Sequence, residues 1–234
     1  MTKNIINFKN IKFYNTSFEK ILSKVNKGGY LVAPAASSLS QINKNKLYYK
    51  SLIQSDVAIL DSGLFCILLR IFKGYKVNKL SGYLFLKKFL KVSSVKKFKL
   101  MTIDPSSIEA KYNLEYLRKN NIKKTTSYVA PIYKNQIKDE KLLKKIKNLK
   151  PKYIMINLGG GIQEILALYI KNNIKFNISI FCTGAAIAFL TKRQAPINDY
   201  IDRLYLGWLV RLIHNPKKYF IRVASSLNLI RLFI

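Results

Sequence analysis

The chain has 234 residues, 49% of them hydrophobic, and its 42 Lys and Arg outweigh 11 Asp and Glu to give a formal charge of +31 at pH 7. That length supports one sizeable core, and that charge calls for an anionic partner: nucleic acid, an anionic membrane face or a phosphorylated small molecule. Two cysteines within apolar runs, Cys66 and Cys182, argue against a disulfide framework and for a reducing, cytoplasmic setting, and the start MTKNIINFKNIKFYN lacks the apolar core of a signal peptide.

In chain order, GGYLVAPAASSL and SDVAILDSGL each read as a short apolar strand ending in small or turn residues, with a basic helical stretch from about Ser38 to Ser55 between them. FKLMTIDPSS repeats the plan and leads into the helix IEAKYNLEYLRKN, whose Ile108, Tyr112, Leu114 or Glu115, and Leu117 fall at helical spacing. A weaker strand, TTSYVAPIY, precedes the charged helix NQIKDEKLLKKIKNL; KYIMINLGG and NISIFCTGAA follow, each with its own helix. Strands alternating with helices predict an α/β fold: a Rossmann-like parallel sheet flanked by helices, occupying residues 1–195. After Pro196 the strand signal stops, and residues 196–234 read as a basic appendage of two or three amphipathic helices broken near Asn215-Pro216. No acid follows Asp202, while Lys217, Lys218, Arg222 and Arg231 mix with Leu, Ile, Phe and Trp. That mixture suits either an anionic lipid surface or packing on the core.

In doubly wound sheets a ligand lies beyond the C-terminal strand ends. Glu109, Glu115, Asp139, Glu140, Asp199 and Asp202 fall on predicted helices beside Lys or Arg and read as solvated ion pairs. Among the remaining acids, Asp61, directly after VAIL and before Ser-Gly, is the best placed to meet a ligand, then Asp104, then Glu164. A carboxylate at such a point serves either as a helix cap or as a base. The three glycines of INLGGGIQE are either a tight turn, leaving Gln163 on the surface, or a phosphate cradle at a helix N-terminus that brings Gln163 to a ligand. The single histidine, His214, and the absence of an Asp-x-Asp pair argue against a His-assisted nucleophile and against a bound metal, so cationic side chains and backbone amides would have to stabilise a diphosphate. Nucleic-acid binding rests on charge alone, since most aromatics sit within apolar runs.

The ordered segments SDVAILDSGLFCILLRIFKG, VNKLSGYLFL, INLGGGIQE, CTGAAIAFL, QAP and LGWLVRLIHNPKKYFIR resemble the TagA/WecG/CpsF family of bacterial glycosyltransferases over nearly the whole chain. The resemblance implies a Rossmann-like core, a basic appendage that closes the site at the membrane, and a metal-independent inverting reaction with no cofactor. It also implies transfer of N-acetylmannosamine or a related sugar from a UDP-sugar to a polyprenol-diphosphate-linked sugar in cell-surface polysaccharide synthesis, by a protein peripheral to the inner face of the plasma membrane. By that resemblance Asp61 is the general base, and Lys79, Ser81 and Gly82 stand at a phosphate clamp. Gly159, Gln163 and Glu164 form the glycine turn, and Arg211, Lys217, Lys218 and Arg222 are the appendage cations. The chain departs from the family pattern at Ala33 and Ala35, where a Thr and an Asn are expected, at Ala188 in place of an Asp, and at Gly207 in place of a Glu. These departures imply either altered substrate recognition or a catalytically weakened relative acting as a membrane-surface partner in a polysaccharide assembly complex.

Overall fold

A computed structural model describes residues 3–133 and 137–234. The chain opens with a hairpin that the apolar runs did not reveal. β1 (Ile5–Phe8) pairs antiparallel with β2 (Ile11–Tyr14) across Lys9 and Asn10, both at positive φ (46° and 60°). Two consecutive left-handed residues make the turn whose twist matches a hairpin. There follow α1 (Phe18–Val25), β3 (Gly29–Val32), α2 (Ala36–Leu39), α3 (Lys46–Ile53), β4 (Val57–Ile59), α4 (Gly63–Lys73) and α5 (Gly82–Phe89). Next come β5 (Leu100–Asp104), α6 (Ser107–Lys119), β6 (Thr125–Val129), α7 (Glu140–Leu149), β7 (Tyr153–Ile156), α8 (Ile162–Asn173), β8 (Ser179–Cys182) and α9 (Ala186–Leu190). The single helix expected from Ser38 to Ser55 is two, α2 and α3, separated by turns.

The strands form one sheet in the order β1-β2-β4-β3-β8-β7-β5-β6, parallel except for β1 against β2. The α/β reading therefore holds. Both faces are buried, as a parallel sheet requires. On β8, Ile180 and Cys182 join the cluster on one face with Ile154, Ile156, Phe8 and Phe65; Phe181 joins the opposite cluster with Tyr153, Phe85 and Phe89. Cys66 and Cys182 are free and buried, as expected.

The helices start where short polar side chains cap them. Ser17, Asn45, Ser62, Ser81, Ser106 and Asp139 each accept a hydrogen bond from a backbone N–H of the first turn, which satisfies one of the otherwise orphaned donors. Two expectations need correction here. Asp139 is not a solvated ion pair but a buried cap that also accepts from the hydroxyls of Tyr128 (2.9 Å) and Tyr133 (2.7 Å). On α6 the inward residues are Ala110, Asn113 and Leu117, while Ile108 and Tyr112 are exposed.

Beyond Pro196 the chain is helical: α10 (Asp199–Arg203), α11 (Gly207–His214) and α12 (Pro216–Leu227), with the break at Asn215, whose backbone leaves the helical region just before Pro216. α11 buries none of its residues. The chain then returns to the core: Leu229, Leu232 and Phe233 are buried, and the Phe233 ring lies 4.6 Å from Phe8 and 5.7 Å from Phe72 between centroids. Removing everything after Ala195 would thus also uncover the core around Phe8. No helix among the described residues is long and apolar enough to cross a membrane.

Candidate functional site

The C-terminal ends of β3, β4 and β8 lie side by side, and the loops leaving them converge on Gly82, the first residue of α5. A Cβ on Gly82 would stand 3.3 Å from the Cβ of Ala33, after β3, and 3.4 Å from that of Thr183, after β8. Glycine permits this close approach. Asp61, after β4, completes the junction by accepting the Gly82 N–H at 2.7 Å. Ser62 caps α4, so Asp61 is not needed for that task. Burial pushes the Asp61 carboxyl up, the Gly82 N–H and the nearby Lys79 and Arg211 cations pull it down, and the balance leaves it above the ordinary carboxylate range. A carboxylate held by one backbone bond with an elevated pKa is suited to accept a proton.

Lys79 and Ser81 stand next to this junction, but their polar atoms are committed to the appendage. Lys79 Nζ lies 2.8 Å from Asp202 Oδ1 and 2.5 Å from the Asp202 carbonyl oxygen, and Ser81 Oγ donates to Asp202 Oδ2 at 2.9 Å. Asp202 is therefore no solvated ion pair: both side chains of the bridge are only 9% exposed. Such a pair fastens α10 to the core, because removing either partner strands a buried charge. Tyr205 strengthens the seam, its hydroxyl accepting from Arg70 at 2.7 Å and its ring lying 5.3 Å from Lys79 Nζ.

The appendage brings Arg211 to the same junction. Its guanidinium stacks 4.6 Å from the Phe189 ring centroid, and its Nε is buried with no hydrogen-bond partner among the described residues. Burial draws its pKa down and the Asp61 charge opposes this, so the two groups sense one another. A partly buried arginine whose Nε–H has no partner among the described residues retains a donor suited to an anion. Arg222 adds to the positive field on Arg211 and lies 5.6 Å from the Tyr219 ring centroid; it is exposed, as is Lys217. The side chain of Lys218 lies outside the described residues. Thr183, whose Oγ1 is likewise buried without a partner among the described residues, was not singled out from the sequence; it follows the apolar run of β8, and its placement opposite Gly82 was not legible locally.

The glycine turn after β7 holds its own helix. Gly161, at φ +94°, donates its N–H to Glu164 Oε2 at 2.7 Å, so a side-chain carboxylate already sits where an external anion would meet that amide. Gln163 is neither a surface residue nor free for a ligand: it is buried, donates to Glu164 Oε1 at 2.9 Å and accepts the Gly184 N–H at 2.8 Å. It thereby ties the turn after β7 to the turn after β8. Glu164 is fully buried, and burial pushes its carboxyl up to about 7 against these hydrogen bonds. Gly159 and Gly160 remain exposed at the surface of the turn.

Asp104 is saturated. Its Oδ1 accepts from Asn113 and Asn157 (2.7 Å each), and its Oδ2 from Thr102 and Ser127 (2.6 Å each), with no exposure to solvent. It is a structural knot joining β5, α6, β6 and the end of β7. Ala33 and Ala188 are buried, and Ala35 begins α2 without a side-chain cap. Among the described residues no three of His, Cys, Asp or Glu gather as a metal site would require.

No curated protein sequence matches the chain. The family model described as glycosyl transferase WecG/TagA/CpsF family matches residues 6–234, the core and the appendage together. The match spans the parallel α/β sheet and the helical tail alike, and the chain belongs to the WecG/TagA/CpsF family of glycosyltransferases.

Proposed function

We propose that this protein transfers a sugar of the N-acetylmannosamine type from a UDP-sugar to a polyprenol-diphosphate-linked sugar, at the inner face of the plasma membrane, in cell-surface polysaccharide synthesis. The observation that carries the reading is Asp61 at the junction of β3, β4 and β8, accepting only the Gly82 N–H among the described residues and lying within the electrostatic influence of Lys79 and Arg211. Asp61 removes the proton from the acceptor hydroxyl as that oxygen attacks the anomeric carbon. The bond from that carbon to the donor diphosphate breaks on the opposite face, and configuration inverts. The negative charge that develops on the departing diphosphate falls to Arg211, with Lys217, Lys218 and Arg222 of the appendage in support; no metal is required by this assignment. Thr183 offers its unused hydroxyl beside Ala33, where the family pattern expects a polar residue. Gly159 and Gly160, exposed in the turn after β7, are the part of that turn left to approach the donor, while Gln163 and Glu164 hold the turn in place.

Residues 196–234 act as the appendage that brings these cations to the membrane. Trp208, Ile213, Phe220 and Ile221 are exposed on α11 and α12 among Arg and Lys, the pattern of a surface that rests on anionic lipid. The test is UDP release from UDP-N-acetylmannosamine with and without a lipid-linked acceptor. Acceptor-dependent release, with one sugar added per UDP, supports the reading. Absence of release with a panel of UDP-sugars and acceptors would favour the weakened relative that Ala35 and Ala188 raise.

A further inference from the structure

The sheet ends at β6, and no strand among the described residues pairs with its outer edge. On the inner side the Lys124 carbonyl accepts the Leu100 N–H at 2.9 Å, and the Ala130 N–H donates to the Asp104 carbonyl at 2.9 Å, so the even-numbered residues of this stretch face β5. In a parallel ladder the alternate residues, Thr125, Ser127 and Val129, then turn their backbone outward. The Thr125 N–H is spent on the Lys123 carbonyl, and the Ser127 carbonyl accepts from Lys145 Nζ at 2.7 Å. That leaves the N–H groups of Ser127 and Val129 and the carbonyls of Thr125 and Val129 without a partner among the described residues. Beside this edge a groove of about 490 Å³ separates β6 from α7, lined by Thr126, Lys141, Lys144, Lys145, Asn148 and Leu149. Lys141 and Lys144 are exposed, and no lysine of the groove forms an ion pair with an acid among the described residues. Glu140, one turn from Lys144, is exposed and unpaired among those residues, and Asp139 is taken up by the Tyr128 and Tyr133 hydroxyls and by its cap.

The chemistry of the edge selects the class of partner. Unpaired donors and acceptors occur together along β6, and an extended polypeptide satisfies both kinds, whereas the phosphates of a nucleic acid bring acceptors alone and leave the Thr125 and Val129 carbonyls bare. Lys141 and Lys145, one helical turn apart, are separated by about 6 Å along α7, and alternate side chains of a strand by about 6.6 Å. Acids at every second residue of an incoming strand therefore fall in step with the lysines. A second copy of this chain does not fit, because pairing β6 with β6 would set two lysine-lined grooves side by side. A lysine beside a sheet edge guards against indiscriminate pairing, and the same charge admits a strand that carries acids, since a carboxylate draws the Lys145 ammonium off the Ser127 carbonyl. We propose that β6 is a docking edge for an extended acidic segment of a partner protein, its backbone paired with Thr125, Ser127 and Val129 and its alternate carboxylates on Lys141, Lys144 and Lys145. Both β7 and β5 stand between β8 and β6, so a partner held here leaves the junction of β3, β4 and β8 open.

The probe is a synthetic peptide that alternates Glu with Val, titrated into the full chain by calorimetry while backbone amide exchange is followed by NMR. Binding should slow exchange of the Ser127 and Val129 amides tenfold or more and leave that of Thr125, already bonded to Lys123, within threefold. Alternate amides of a strand point to opposite sides, so methylating either all the Glu nitrogens or all the Val nitrogens blocks one side of the peptide only. One methylated peptide should lose tenfold or more in affinity, and the other less than threefold. Lys141→Glu/Lys144→Glu should lose tenfold or more. An equal charge change at exposed residues of α3, Lys46→Glu/Lys50→Glu, should lose less than threefold. Equal losses for the two methylated peptides or for the two variants would reduce the interaction to general charge attraction and overturn the proposal. So would an oligothymidylate that binds as tightly as the peptide, or a peptide that shows no saturable binding at millimolar concentration. Should the α7 variant fail to fold, Lys141→Gln/Lys144→Gln carries the same test with a smaller loss.

Discussion

Two aspartates end parallel strands of the same sheet, and they have opposite fates. Asp104 is enclosed by four donors drawn from three strands and a helix, and nothing about it is left to react. Asp61 receives one backbone N–H, shares its surroundings with two cations, and is displaced upward by burial. Position at a strand end therefore does not make a catalytic carboxylate. What distinguishes the two is how many partners the fold supplies: full satisfaction gives rigidity, and incomplete satisfaction leaves capacity for a ligand and a proton.

The comparison breaks most readily at Asp61. Asp61→Asn retains the shape and can still accept the Gly82 N–H, so the melting temperature should hold while the single-turnover rate of sugar transfer falls by on the order of 10²–10⁴. Near-normal transfer by this variant would remove the assignment. At Asp104 the expected damage is of the other kind. Asp104→Asn sets an amide N–H₂ against donors that need an acceptor, and stability should fall by roughly 3 kcal/mol in denaturant titration, with the rate of the protein that remains folded little changed.

Glu164 lies between these extremes, being hydrogen-bonded like Asp104 and displaced upward like Asp61. Its folded-state pKa of about 7 exceeds the ordinary 4.5, so the folded protein holds a proton that the unfolded chain has released. Stability should accordingly decline as pH rises from about 4.5 to about 7, by about 3 kcal/mol for this group. The groups that face it are Tyr30, Tyr48 and Cys182, none of them cationic, so no neighbour reverses the sign. Glu164→Gln should remove this part of the pH dependence, and an unchanged slope would show that Glu164 does not carry it. The smallest effect belongs to Gln163→Ala. This substitution strands the Gly184 N–H and should cost about 1–3 kcal/mol, lowering the melting temperature first and donor affinity only as a consequence. A loss of UDP affinity with an unmoved melting temperature would instead make Gln163 a direct donor contact.

The fold was legible where local chemistry is sufficient. Apolar runs such as YIMI and SIFC could only be strands buried on both faces, whereas the Ser, Asn and Asp caps became evident only in the structure, Asp139 among them. The N-terminal hairpin was not, since its strands are four residues each and polar side chains alternate with the buried ones. On α6, spacing favoured Ile108 and Tyr112, yet the helix turns Asn113 inward because Asp104 needs its amide. The site was harder still. Lys79 meets a residue 123 positions away, and no local pattern distinguishes a buried partner such as Asp202 from a solvated one. Asp61 could be ranked by elimination among few acids, whereas Arg211 rested on resemblance alone, because its meaning depends on where the appendage packs.

The most direct test of the central claim is the pH dependence of kcat/KM for sugar transfer by the wild type and for the residual activity of Asp61→Asn. If Asp61 is the base, wild-type kcat/KM falls tenfold per pH unit below an apparent pKa above the ordinary aspartate value of about 3.9, and the residual activity of the variant lacks that acid limb. A wild-type profile that stays flat to below pH 4, or a limb that persists unchanged in Asp61→Asn, would contradict the account.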